Sequence, residues 1–304
     1  MKSRRCGMRM MDESDILRLL RQKQEGIYRL GLFESTPIMD TIVNTKLSRQ
    51  RVKGLALHTQ MMNNPYVRKR AAQPFKRYEG RPVIDLRAYD APECVHDFLA
   101  MCLSRKSATG FENRVIPGQH LSALLKHSYG VTRIERIFEE KIPWGFRCIP
   151  SPGGLFASEI YLILCRTDFP PGLYHYRPDI HALEQLKAGD FSEFAETSCG
   201  IAGYLSAGSS IPCVIICTSL IERLYIKYGL RSYKFMLIET GILAQQLTMV
   251  AHALGLGSRM FGGYFDDEVD DFLGVDGVLE SVQNVMVVGW PTEDAGTDAP
   301  GEGG

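Results

Sequence analysis

A lysine and a tyrosine, Lys227 and Tyr228, stand side by side just ahead of Gly229 in the stretch IERLYIKYGLRSYKFMLIETG, residues 221–241. The pairing suits acid/base chemistry, because a nearby cation stabilises phenolate and lowers the tyrosine pKa. Six residues of the stretch are charged (Glu222, Arg223, Lys227, Arg231, Lys234, Glu239), yet apolar helical spacing continues through them. Three other segments combine small and cationic residues: RKSATG (105–110), PSPGGLF (150–156) and GLGSRMFGGYFD (255–266). None has the glycine spacing of a dinucleotide fingerprint or a phosphate loop. Each can still bring backbone amides or guanidinium groups up to a flat anionic ligand, and each also reads as an ordinary loop or helix cap.

Other reactive side chains have structural readings beside functional ones. Glu239, inside an apolar helix pattern, reads as half of a structural ion pair or as a group orienting Lys227 or Arg231. Arg231 and Tyr233 either touch a substrate or pack around the start of that helix. His175 and His181, in LYHYRPDIHALEQL, read as structural. His120 and His127 are seven apart with no carboxylate motif between them, and none of the eight cysteines forms a C-x-x-C pair, so no metal site is expected. Several cysteines lie in apolar runs such as IPCVIIC, as reduced, buried thiols of a cytoplasmic protein would.

These residues need elements to hold them. The longest helical pattern runs from Tyr233 to Gly255, with Gly255 and Gly257 as candidate caps. Pro117 to Tyr129 reads as a helix stopped at Gly130, and CVHDFLAMCL has helical spacing before RKSATG. EIYLILC (159–165), the apolar run 211–217 and the segment 284–290 read as strands, the second covered on both faces. FPPG and the segment after it suggest a hairpin or short crossover. Long helices with few, mostly covered strands indicate an α+β layered domain. The chain of 304 residues accommodates one large domain or a domain with an appendage. Residues 1–90 read as a short helix (12–25) and a basic extended arm, 91–292 as the patterned domain, and 293–304 as a disordered tail.

The net charge is zero, but residues 1–90 hold 19 Lys and Arg against 9 Asp and Glu, and the remainder 16 against 26. The basic front part can meet an acidic partner or the acidic remainder. Its mix of basic and aromatic residues comes without any nucleic-acid-binding motif, so nucleic acid is not expected as a partner. No run of 18 uncharged apolar residues occurs, so a membrane span is not expected either.

The order of these segments, with PSPGGLF before EIYLILC, then PPGLYHYRPDIHALEQL, then IKYGLRSYKFMLIETG, resembles the nitroreductase superfamily. Within it the chain looks most like the SagB-type dehydrogenases, the flavin-dependent azoline oxidases of ribosomally made peptides. The likeness covers about residues 95–290. It implies a mostly antiparallel sheet flanked by helices, and FMN at a homodimer interface with each site built from both subunits. It also implies a modified precursor peptide as substrate and cyclodehydratase subunits as partners. By the same resemblance Lys227 and Tyr228 are the catalytic pair, with the choice of base between them open. Arg105, Lys106 and Ser107 hold the flavin phosphate and ribityl chain, although Thr109 stands where the family often has a second arginine. Pro150, Ser151, Gly153 and Gly154 form the loop lent by the neighbouring subunit, and Gly262 and Gly263 face flavin N5. Gln245, next to Gln246, falls where glutamine-asparagine is common, and Arg259 replaces the basic C-terminus of ordinary nitroreductases. Two other roles fit the same residues: a flavin oxidoreductase acting on another small substrate, and a flavin-binding scaffold subunit.

Overall fold

The computed structural model describes residues 40–42, 48–50, 96–137 and 142–292. The chain divides into two compact units, Met1–Asn44 and Thr45–Gly304. Of the first, residues 40–42 are described and are helical. The other described residues belong to the second. The expected helix at 12–25, nearly all of the arm and the tail lie outside the described residues.

In chain order the elements are α1 (His96–Ser104), α2 (Gly118–Tyr129), β1 (Val131–Ile137), β2 (Ile142–Arg147), β3 (Ser158–Leu164), β4 (Gly172–Arg177) and β5 (Ala182–Ala188). They continue with α3 (Ser192–Ser198), β6 (Cys213–Leu220), α4 (Ile221–Tyr228), α5 (Ser232–Ala253), β7 (Gly257–Phe261), α6 (Asp266–Leu273) and β8 (Glu280–Gly289). Six strands form one sheet in the order β5-β4-β3-β6-β8-β7, and every neighbouring pair is antiparallel. β1 and β2 make a separate antiparallel hairpin.

The sheet is the middle layer of three. On one face Ile160, Leu162, Ile215, Met286 and Val288 pack with α2 and with Leu243, Leu247 and Ala251 of α5. On the other, Ile163, Val214, Ile216, Val285 and Val287 pack with Ala195 of α3 and Val269 of α6. A central strand covered on both faces must be apolar at every position rather than at alternate ones. β3 is buried at all seven residues for this reason. α5 buries Met236, Thr240, Leu243, Leu247 and Ala251, the three-and-four spacing of a single helical face.

Most patterned elements appear where the sequence puts them. α2 ends with the Gly130 N–H on the Lys126 carbonyl, and Gly255 turns at φ +75° just past α5. The PPG segment does open a hairpin, β4–β5. The expectation of few strands needs correction, since eight are described. β1–β2 has weak alternation, and β7 lies inside a segment read as one loop. As an edge strand, β7 draws its order from β8 rather than from its own apolar content.

Candidate active site

Two groups of the candidate residues assemble over different strands of the sheet. The first lies at the β7 edge. The segment after α1 runs beside this strand, with the Ala108 N–H on the Ser258 carbonyl at 3.0 Å and Arg259 Nη1 on the Ala108 carbonyl at 3.4 Å. Close packing requires a glycine: a Cβ at Gly257 would stand 2.9 Å from Pro291 Cβ and 3.0 Å from Ala108 Cβ. Arg105 and Arg259 are half-buried, while Lys106 and Ser107 are exposed. β7 then leads directly into Gly262 and Gly263. Nothing lies within 4 Å of where a Cβ would stand at either glycine, so their backbone borders open space. Gly200 presses against the Gly263 backbone; a Cβ there would sit 2.5 Å from the Gly263 carbonyl. The expected ligand segment 255–266 is therefore part strand, part loop.

The second group gathers around the loop 150–156. Gly153 and Gly154 adopt left-handed φ of +66° and +67° inside a short 3-10 turn, which L side chains adopt only with strain. Trp144 Nε1 donates to the Gly154 carbonyl at 2.7 Å. Pro150 is exposed at the start of the loop. Ser151 is turned inward: its hydroxyl donates to Glu239 and accepts the Phe156 N–H at 2.8 Å. Glu239, fully buried in α5, also accepts the Ser158 N–H at 2.9 Å and the Ser158 hydroxyl at 3.1 Å. From sequence Glu239 reads as half of an ion pair or as a group orienting Lys227 or Arg231; its partners among the described residues are two hydroxyls and an amide. The carboxylate spends its lone pairs fixing the loop.

A second clamp comes from α4. Phe156 has φ +48° without being glycine, a conformation that persists only when its surroundings over-determine it. Its N–H is held by Ser151, and its carbonyl accepts Arg223 Nη1 at 2.8 Å. Arg223 in turn pairs with Glu159 at 2.6 Å, and Glu159 with His175 Nε2 at 2.9 Å. Burial pushes the Glu159 carboxyl up, but His175 and Arg223 outweigh it and leave it below the usual carboxylate range. Burial likewise opposes charge on His175, and Glu159 and Glu184 overcome it, raising its pKa. His175 thus serves a structural network, in keeping with its sequence reading. Arg223 and Phe156 were not singled out from sequence. The one available signal is that Arg223 precedes Lys227 by four residues, one helical turn, and so shares its face.

Lys227 and Tyr228 close α4, and Gly229 follows at φ +53°. The Lys227 side chain lies outside the described residues. Tyr228 is half-buried and meets Phe235 edge-on, with ring centroids 4.7 Å apart; Arg231 lies over the same ring at 5.7 Å. Arg231 is therefore tied to packing at the start of α5. Gln245 is exposed on α5, and Gln246 donates to the His127 carbonyl at 3.1 Å. The structure brings Arg105, Lys106, Ser107, Arg259, Gly262 and Gly263 to the β7 edge, and places Pro150, Ser151, Gly153 and Gly154 with α4 and the start of α5 near β3.

A nitroreductase family model matches residues 103–290. The chain belongs to the nitroreductase family. It is 27% identical over 173 residues to a nitroreductase-like protein of Methanocaldococcus jannaschii, covering 56% of this chain and 81% of that one. It is 31% identical over 147 residues to the microcin B17-processing protein McbC of Escherichia coli, covering 43% of this chain and 49% of McbC, so the match spans about half of that relative. Among solved structures, it is similar to a chain of the E. coli microcin synthetase McbBCD complex with truncated pro-MccB17 bound. That likeness has a TM-score of 0.54 at 20% identity, over 82% of this chain and all of the other. A nitroreductase-family structure from Ralstonia eutropha gives 0.52 at 22% identity, over 70% and 88%. Both structural likenesses speak for the fold, whose antiparallel sheet between helices is the one expected from sequence. The McbC similarity accords with the SagB-type resemblance. Among the described residues no helix is long and apolar enough to cross a membrane.

Proposed function

We propose that the protein is an FMN-dependent azoline dehydrogenase, oxidising thiazolines or oxazolines in a ribosomally made peptide to thiazoles or oxazoles. The observation that carries this reading is the Lys227–Tyr228 pair closing a helix whose Arg223 clamps the glycine loop 150–156. The similarity to McbC, a microcin B17-processing protein, supplies the substrate class. The donor set fits FMN. Arg105, Lys106, Ser107 and Arg259 offer cationic and hydroxyl donors to a phosphate at the β7 edge. Gly262 and Gly263 offer a backbone bordering open space to a flat ring system. As the family resemblance implies, a second copy of the chain lends Pro150, Ser151, Gly153 and Gly154 to the site; within one chain they gather over a different strand from the β7-edge group. Ser151 contributes there through its backbone, its hydroxyl being committed to Glu239. The outward face of α5 supports such a homodimer: Leu237 and Ile238 are 46% and 45% exposed beside Gly241. Gln245 lies further along this face.

Azoline oxidation removes two electrons and two protons from the ring, and its aromatic product makes the step downhill. Bound FMN supplies the two-electron acceptor. The chain's own work is to align the ring and to take the α-proton at Tyr228 or Lys227. Cyclodehydratase subunits would deliver the azoline peptide. The similarity to the Methanocaldococcus jannaschii protein favours a second reading, a flavin oxidoreductase acting on another small substrate.

The test is a spectrum of the purified protein with FMN, followed by an azoline-peptide assay. Yellow protein that removes about 2 Da per heterocycle, the mass of two hydrogens, is expected. Protein that stays colourless with FMN supplied refutes both readings. Yellow protein inert on azolines leaves the second. Lys227→Ala and Tyr228→Phe should abolish oxidation while retaining flavin; loss of flavin would make the pair structural.

A further inference from the structure

A cavity of about 360 Å³, with no candidate site residue among its described lining residues, opens between α2, the turn before β4 and the β4–β5 hairpin. Its size falls in the range of small-molecule sites, which are mostly apolar with a few placed polar groups. Leu125, Phe169, Pro170 and Tyr174 form apolar walls. Tyr174 turns its polar end away from this role, donating to the Pro170 carbonyl at 2.8 Å and accepting Gln185 Nε2 at 3.0 Å. The cavity's polar end is a chain of three side chains. The Tyr176 hydroxyl lies 2.9 Å from His181 Nδ1, and His181 Nε2 lies 3.0 Å from the Ser122 hydroxyl. His181 has φ +50°, one of two non-glycine residues at positive φ among the described residues. Its ring also sits edge-on to Tyr176, so contacts on both ring nitrogens hold the strained residue in place.

The burial of Tyr176 fixes the direction of this chain. Tyr176 is 1% exposed, and a buried hydroxyl left without an acceptor is costly. Tyr176 therefore donates to Nδ1, which leaves the proton on Nε2, and Nε2 donates to Ser122. The Ser122 O–H is left to donate outward, at the exposed mouth of the cavity. Lys126 lies one helical turn on from Ser122, and His127 follows it. Burial and then the charges of these two residues hold His181 below its usual pKa, so the ring is neutral at neutral pH. None of the described residues lining the cavity is acidic.

An apolar, aromatic-walled cavity with one outward hydroxyl donor under a cationic rim complements one chemical class. The geometry points to a binding site for a small aryl carboxylate, its ring between Phe169 and Tyr174 and its carboxylate on Ser122 beneath Lys126. Neither the azoline reading nor the flavin is needed for this site, and the ligand's charge would raise the pKa of His181 on binding.

Phenylacetate and its neutral analogue phenylacetamide, titrated into the full chain, test it by calorimetry and by the imidazole resonances of His181. Phenylacetate should bind saturably, shift those resonances and raise the His181 titration midpoint, with phenylacetamide at least about tenfold weaker, the scale of one charge-assisted hydrogen bond. Ser122→Ala should weaken phenylacetate by about the same factor, and Ala182→Phe, which fills the cavity, should abolish binding. Melting temperatures of both variants check that each is folded. Saturating FMN should leave phenylacetate affinity unchanged. Equal affinity for acid and amide, unshifted His181 resonances, wild-type binding by folded Ser122→Ala, or competition by FMN would each overturn the assignment.

Discussion

Replacing Glu239 with leucine should destabilise the protein far more than replacing it with glutamine. The carboxylate is fully buried and accepts the Ser158 N–H, the Ser158 hydroxyl and the Ser151 hydroxyl. Leucine has similar bulk but no acceptor. The serine hydroxyls can rotate, but the Ser158 N–H points where the backbone of β3 puts it. With each orphaned buried donor costing about 1–3 kcal/mol, the loss should total roughly 3–5 kcal/mol. For a chain of this size that lowers the melting temperature by about 6–15 °C. Glutamine keeps an oxygen for the Ser158 N–H and turns its amide toward Ser151, so it should cost only about 1–2 kcal/mol. The consequence reaches the loop, because Ser151 also holds the Phe156 N–H. Without its anchor, Phe156 relaxes from φ +48° and residues 150–156 lose their shape. Thermal melts of the three proteins, with bound flavin read at each, make the comparison. A leucine variant melting within about 2 °C of the glutamine variant would show that Glu239 does not organise the loop.

At the β7 edge two glycines should behave oppositely. Gly257→Ala forces a Cβ against Pro291 and Ala108 and should cost about 1–3 kcal/mol, whereas Gly262→Ala meets nothing within 4 Å and should lower flavin retention with little change in melting temperature. His175 has its folded pKa raised by its two carboxylates despite burial. Its stabilisation is complete below the unfolded value near 6.5 and fades as pH rises through the folded value. His175→Gln should flatten that decline in melting temperature as pH rises above about 6.5. Glu222 is 3% exposed with both oxygens unpaired among the described residues, and burial, then the charge of Asp276, pushes its pKa up to about 7. Stability should fall as pH climbs from the unfolded value near 4.3 toward 7, then level off, because ionisation is easier in the unfolded chain. Glu222→Gln should remove this fall and melt above wild type at pH 8.

The sandwich has a simple mechanical consequence for the candidate site. α4 follows β6 without a loop, its first N–H taken by the Leu279 carbonyl, so the sheet fixes the helix that ends in Lys227 and Tyr228. Arg223 and Glu159 then tie that helix to the 150–156 loop. The helix that ends in Lys227 and Tyr228 and the glycine loop are held as one unit through Phe156.

Local periodicity alone marked the long helix, expected over 233–255 and found over 232–253, the helix expected over 117–129 and found over 118–129, and the buried strands, since a two-face-covered strand and a one-face-covered helix each impose a pattern within a few residues. The small and cationic segments were legible for a similar reason, because glycine at positive φ and clustered cations leave a compositional mark. The edge strand β7 and the β1–β2 hairpin were not, as each depends on a neighbouring strand rather than on its own apolar content. Tertiary structure alone decided what Glu239 does. In sequence it is a carboxylate in an apolar helix, a pattern that calls for a cation; in the fold, Ser151 and Ser158 arrive beside it from another layer. Tertiary structure likewise decided that Arg223 holds Phe156, and that Ser122, His181 and Tyr176 meet in one chain. Hydrogen bonds between residues distant in sequence carry no periodic signal, so only the packing of the layers could reveal them.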